Sequence, residues 1–174
     1  MTDRATVSAE IVDTASHAPT IHACAVLVGA RALLIRGPAG AGKSRLALEL
    51  IQAGASGRLA FVRLIADDRV HVAAAHGRLI ARAPANLAGL LEIRGIGIRH
   101  VPYEPMAVVR LVVDLATAAE RMPQAAATEA EIEGVRLPRL AVAPGADAFS
   151  LVLAALTLHT SRLEKSWRDN SWPR

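Results

Sequence analysis

Cysteine is almost missing from this sequence: Cys24 stands alone in 174 residues. A single thiol excludes an internal disulfide and any cysteine-rich zinc site, and it suits a reducing compartment. Aromatic residues are nearly as scarce, at 3%. The hydrophobic 52% of the chain must therefore build its core from Ala, Val, Leu and Ile. No apolar run approaches the roughly 18 residues of a membrane span, and the start, "MTDRATVSAEIVDTASHAPT", has no apolar signal core. The expected location is the cytoplasm. A basic stripe is absent too: the net charge is +4, but the arginines are scattered and have no aromatic partners for stacking bases. Neither nucleic acid nor a membrane is an expected partner.

The length suits one domain. Residues 1–20 show little periodicity and are expected to form a flexible N-terminal segment, with 21–174 as a single domain. "HACAVLVGARALLIRG" predicts two strands about Gly29, and "KSRLALELIQAG" a helix with Leu46, Leu50 and Ile51 on one face and Gly54 as its stop. "FVRLIADDRVHVAAAHGRLIAR" predicts a buried strand, two carboxylates and a hairpin turning at His76-Gly77. "PANLAGLLEIRGIGIRHV" reads as a short helical or loop segment feeding one glycine-punctuated strand, and "MAVVRLVVDLA" as another buried strand. "AAATEAEIEG" reads as a mobile loop, and "IEGVRLPRLAVAPG" as a hairpin with prolines at its rims. "DAFSLVLAALTLHTSRLE" is the longest helix candidate, capped by Asp147. Many strands around few helices predict an α/β fold, a mixed β-sheet with flanking helices, and the segment "GPAGAGKS" within it would make that fold P-loop-containing.

Lysine is the scarcest basic residue: of twenty Lys and Arg, two are lysines, Lys43 and Lys165. Lys43 closes a loop of Gly37, Pro38, Ala39, Gly40, Ala41 and Gly42, and Ser44 follows it. This is the G-x-x-x-x-G-K-[ST] pattern, in which glycines turn backbone N–H groups inward around phosphates. Its lysine reaches the β- and γ-phosphates and its serine hydroxyl can coordinate Mg²⁺. The plainer reading is a glycine turn capping a helix, with Lys43 at the surface. The apolar strand before the loop and the amphipathic helix after it favour nucleotide binding.

Asp67 and Asp68 end the run "RLIADD". Neighbouring strand residues point to opposite faces, so one carboxylate should face the phosphates and the other elsewhere, unless the chain bends. A carboxylate there can hold a metal or accept a proton. Asp-Asp is also ordinary turn chemistry, and Asp114, at the end of "LVVD", is a rival for the metal side. In "LLEIRGIGI", Glu92 and Arg94 would share one strand face, either addressing a phosphate–metal site or forming an exposed ion pair.

Taken together and in order, "GPAGAGKS", "LIADDRV" and "LEIRGIGI" resemble the catalytic domain of the bacterial HPr kinase/phosphorylase family, over about His22 to Arg121. The resemblance implies an ATP- and Mg²⁺-dependent kinase acting on a serine of the phosphocarrier protein HPr, with phosphorolysis by inorganic phosphate as the reverse reaction. It implies Asp67 as the group exchanging the seryl proton, and Ser44, Asp68 and Glu92 near the metal. His22 would stand beside the catalytic aspartate, Arg94 would be the signature arginine, and Arg121 would correspond to an arginine used in dephosphorylation. It further implies a homo-oligomer, and a short form lacking the family's N-terminal domain. The loop differs from the family's usual run at Pro38, Ala39 and Arg45. A small-molecule kinase on the same loop and a non-catalytic ATP-sensing module are the alternatives. Neither an N-K-x-D segment nor the H-R-D and D-F-G motifs occur, so a GTPase switch and a eukaryotic-type kinase are not expected.

Overall fold

A computed structural model describes residues 20–157. The expected flexible segment, up to residue 19, and the tail with its two tryptophans lie outside the described residues. Strands β1 (Thr20–Val28) and β2 (Arg31–Arg36) form an antiparallel pair, and α1 (Lys43–Ala55) follows β2. Next come β3 (Val62–Ala66), β4 (Arg69–Ala75) and β5 (Arg78–Arg82), and then a 3₁₀ turn (Ala85–Leu87). The small hairpin β6 (Leu90–Ile93) and β7 (Gly97–His100) precedes the long β8 (Met106–Leu115). A second 3₁₀ turn (Ala125–Thr128), β9 (Glu129–Ile132), β10 (Val135–Val142) and α2 (Ala148–Thr157) complete the described chain.

The two longest strands each serve two partners. The C-terminal part of β1 pairs with β2 on one side and β3 on the other, while Thr20, Ile21 and His22 pair with β4. Likewise β8 begins against β5 and then runs parallel to both β2 and β10. The β4–β5 hairpin therefore bridges the starts of β1 and β8 and curls the sheet over. Mixed pairing of this kind bears out the expected mixed sheet.

Strand alternation splits the core into two faces. Cys24, Val26 and Val28, with Leu33 and Ile35, pack under α1 with Leu46, Ala47 and Leu50. Ala23, Ala25 and Leu34 face the other way, against Ile65, Val70, Leu79 and Val112. Small side chains on that second face let the β4–β5 and β9–β10 hairpins fold closely over it.

Four local expectations need correction. Gly54 does not stop α1; it lies inside the helix, where an added Cβ would meet Val62 Cβ at 2.7 Å. Close packing of α1 on β3 explains that glycine, and the helix ends a residue later, before Gly57 at φ 77°. "LEIRGIGI" is two strands, since Gly95 and Gly97, at φ 83° and 89°, turn the chain back. "AAATEAEIEG" is not a loop: it forms a 3₁₀ turn and then β9. Pro138 also lies within β10 and not at its rim, where the strand exchanges β9 for β8 and a missing N–H is tolerated. The His76-Gly77 turn is as expected, with both residues at positive φ. Asp147 does cap α2, accepting from the Ser150 N–H at 3.1 Å and the Ser150 hydroxyl at 2.5 Å. Whether α2 is the longest helix lies outside the described residues. Among the described residues no helix is long and apolar enough to cross a membrane.

Candidate functional site

The glycine loop joins the end of β2 to the start of α1. Gly37 has φ 151° and sits so close to β8 that a Cβ would lie 3.0 Å from the Leu115 carbonyl oxygen. Gly42, at φ 95°, is the helix N-cap and offers no side chain to it, and the first turn of α1 carries no acid. The first N–H groups of this 13-residue helix are thus left for an outside acceptor. Lys43 is buried and folds back over the loop, donating from Nζ to the carbonyls of Gly37 at 2.9 Å and Pro38 at 3.0 Å.

Its third partner comes from β1. Lys43 Nζ lies 2.9 Å from His22 Nε2, and His22 Nδ1 lies 3.0 Å from Asp68 Oδ1. An ammonium has protons only to give, so Nε2 is assigned as the acceptor and Nδ1 as the N–H that faces Asp68. His22 shares the α1-facing side of β1 with Cys24 and Val26, which is why a strand residue reaches the loop lysine.

The two aspartates part company at a bend. Arg69 N–H donates to the Asp67 carbonyl at 2.8 Å with Asp68 between them at φ 64°, the geometry of a γ-turn. Asp67, 6% exposed, points inward: it accepts from Ser44 Oγ at 2.9 Å and from the Glu92 backbone N–H at 3.2 Å. Asp68, with a side chain 64% exposed, faces the open cleft beside His22. The conditional expectation about alternating faces resolves through that bend.

Behind Asp67 sits Cys24. Burial pushes its thiol well above the ordinary value, and the adjacent Asp67 carboxylate pushes it further. The sequence did not single out this contact, although Cys24 lies two residues from His22 on the same strand face. The rival Asp114 proves to be fully engaged elsewhere. Arg36 donates to both its oxygens, at 2.7 and 2.8 Å, and Arg139 donates to Oδ2 at 2.5 Å. Burial alone would raise the Asp114 carboxyl, but the two arginines outweigh it and hold it below the usual carboxylate range.

A cleft of about 900 Å³ opens between the loop, the start of α1, the 145–148 segment and the β6–β7 hairpin. His22, Lys43, Ser44, Asp68, Glu92 and Arg94 all line it. Glu92 and Arg94 do not share a strand face as expected, because Arg94 falls in the turn after β6; both nevertheless reach the cleft. Arg121 is exposed on the segment after β8 and is not part of this wall. Among the described residues no three His, Cys, Asp or Glu cluster as a ready-made metal site. Mg²⁺ held with a nucleotide needs few protein ligands, and the oxygen donors Ser44, Asp68 and Glu92 on the cleft wall, beside an uncapped helix start, fit it.

A mixed sheet in which β2, between β1 and β8, runs through a glycine loop into a helix, with an acidic turn facing that loop, defines an α/β domain with flanking helices. The chain belongs to the family described as HPr Serine kinase C-terminal domain, whose sequence model matches residues 13–169. That match runs well past Arg121, where the sequence resemblance fades. HPr kinase/phosphorylase of Clostridium tetani is 43% identical over 82 residues, covering 47% of this chain and 25% of that protein. HPr kinase/phosphorylase of Limosilactobacillus reuteri is 36% identical over 136 residues, covering 71% of this chain and 40% of that protein. The chain thus spans well under half the length of these curated relatives. The solved structure of the Hpr(Ser) kinase/phosphatase from Coxiella burnetii superimposes with a TM-score of 0.66 at 26% identity, covering 84% of this chain and 98% of that one.

Proposed function

We propose that this domain is an ATP-dependent kinase that phosphorylates a serine of HPr or an HPr-like phosphocarrier, with inorganic phosphate as co-substrate of the reverse reaction. It would work in the cytoplasm as a homo-oligomer. The observation that carries the reading is the continuous network Asp68–His22–Lys43, together with Ser44–Asp67, which ties the acidic turn to the glycine loop. A solvated glycine turn capping a helix would have no reason to bury its lysine and bind it to three partners.

In this reading the residues 37–44 hold the phosphates, with Lys43 as a point charge on the outer ones. Mg²⁺, when bound, supplies neutralisation of phosphate charge, and Ser44, Asp68 and Glu92 are the residues that would hold it. Asp67 takes the seryl proton; the seryl oxygen then bonds to the γ-phosphorus as the bond to the ADP oxygen breaks. In reverse, an oxygen of inorganic phosphate bonds to the phosphorus as the bond to the seryl oxygen breaks, giving pyrophosphate, and the protonated Asp67 gives its proton to that seryl oxygen. Arg94, on the cleft wall, can neutralise charge on the transferring group, and His22 orients Lys43 and Asp68. Arg121 contributes to dephosphorylation if its segment closes on the cleft.

One observation favours exchanging the two aspartates. Asp67 is buried and hydrogen-bonded to the loop serine, the relation of a metal-side carboxylate, whereas Asp68 faces the open cleft. Asp68 would then take the proton and Asp67 would support the metal.

A phosphotransfer assay tests the function: labelled ATP and Mg²⁺ with HPr forward, seryl-phosphorylated HPr with inorganic phosphate backward. Label on a seryl group is expected. Label on a metabolite instead would favour a small-molecule kinase, and ATP binding without turnover a sensing module. Asp67→Asn and Asp68→Asn compared at saturating Mg²⁺ separate the two assignments, because loss of the base persists there and loss of a metal ligand is partly restored.

A further inference from the structure

The β6–β7 hairpin pairs with no other strand among the described residues. One side of it is anchored, with Leu91 and Ile93 packed in the core under α1. The rest is open: every residue of β7 is exposed, and Ile96 and Ile98 are 56% and 62% exposed. Single exposed aliphatics are ordinary, but two on one hairpin tip are a local concentration. Register places Ile98 directly opposite Glu92, so the two share a face, and Glu92 lines the cleft. Ile96 and Ile98 themselves stand outside the cleft wall. Their flanks are cationic: Arg94 and Arg99 are both exposed.

We propose that this hairpin is the docking surface for the protein substrate. Its partner is a folded protein whose reactive seryl group enters the cleft from a surface with an apolar centre over Ile96 and Ile98 and an acidic rim toward Arg94 and Arg99. The proposal rests on the reading of the preceding subsection, that the acceptor is a protein. Position argues for it, since a small acceptor enclosed by the cleft would not touch either isoleucine, while a protein reaching in must rest on this rim. Charge argues for it as well: a second copy of this chain, with its net +4, would bring like charge to the same arginines.

The test is steady-state transfer from ATP to HPr by Ile96→Ser/Ile98→Ser and, separately, by Arg99→Glu. None of the three residues lines the cleft, and circular dichroism with ATP affinity checks that each variant is folded. The expected result is a KM for HPr raised about tenfold or more in the double variant, with kcat and ATP affinity retained. Ile98→Val should restore the wild-type KM. Arg99→Glu should raise the KM as well, and added salt should shrink that difference. An unchanged KM in a wild-type background that transfers normally overturns the docking surface alone. So does a change of sedimentation with unchanged KM, which would give the hairpin to a second copy. A wild type that transfers nothing to HPr overturns both this proposal and the function it rests on.

Discussion

Asp67 and Asp114 make an instructive pair, because both are nearly buried, at 6% and 9% exposure, and both stand at the ends of core strands near the glycine loop. Their partners differ in kind. Asp114 is held by two guanidinium groups, one of them gripping both oxygens, and Arg139 extends the clamp to the Ala127 carbonyl. Asp67 receives a hydroxyl and a backbone N–H, neither of which is charged. A carboxylate matched by permanent cations is finished as a structural element. One held by neutral donors keeps its orientation and its charge for something that arrives later. Strand order adds to the contrast. β8, with Asp114, is the parallel neighbour of the loop strand, whereas β3, which leads to Asp67, is reached across antiparallel β1.

The comparison breaks most sharply on the pair of Asp→Asn substitutions. Asp67→Asn should lower phosphoryl transfer by about 10²–10⁴-fold, the range of a lost proton acceptor or ill-held metal. Stability should fall little, since the amide oxygen can still accept from the Glu92 N–H and the Ser44 hydroxyl can turn to accept from the amide NH2. Rate and denaturation midpoint measured on one preparation check this. A variant that is unfolded, or fully active, would show that the neutral donors mean nothing special.

How much of this contrast could be read from the sequence is decided by range. The loop, the helix after it and the hairpin at His76-Gly77 follow from local chemistry, and each stands where the residues put it. Lys43 was conspicuous by rarity, and its burial agrees. The Arg36–Asp114–Arg139 clamp was illegible, because its members are 78 and 25 residues apart and scattered arginines read as a solvated face. Nor could alternation say where Asp68 would point, because a single residue at positive φ resets it. Gly54 illustrates the opposite failure: glycine near a helix end reads as a stop, and only the packed neighbour reveals close approach.

Asp114→Asn is the second probe and should do the reverse of Asp67→Asn. It leaves Arg36 and Arg139 facing each other across a neutral amide in a largely buried place. Breaking a fully buried pair costs more, but partial exposure of the arginines reduces the loss to about 2–3 kcal/mol. Thermal unfolding should fall by about 5–10 °C, with ATP affinity close to wild type. Acid gives the same result without a mutation. The folded Asp114 titrates below its unfolded counterpart, so its contribution is present above the unfolded value and lost as pH falls through the folded one. The stability gap between wild type and Asp114→Asn should therefore hold at neutral pH and close below about pH 4. A gap independent of pH would mean that the substitution acts through packing and not charge.

The smallest effect tests whether the neutral site depends on how α1 rests on β3. At Gly54 an added methyl would overlap Val62 Cβ and Cγ2, both at 2.7 Å, so helix and strand must separate. Overpacking of this size costs about 1–3 kcal/mol, and the better helix propensity of alanine returns up to about 1 kcal/mol. Gly54→Ala should thus lose about 1 kcal/mol and lower the melting temperature by about 2–4 °C. The same helix carries Ser44 and the same strand leads to Asp67, so the shift should loosen their 2.9 Å hydrogen bond and slow transfer a few-fold. The arginine clamp, on β2, β8 and β10, lies outside the strained contact, so the acid dependence of stability should remain as in wild type. Slower transfer with that dependence intact would separate the two aspartates by mechanics as well as by charge. An altered acid dependence would instead mean that the two regions move as one.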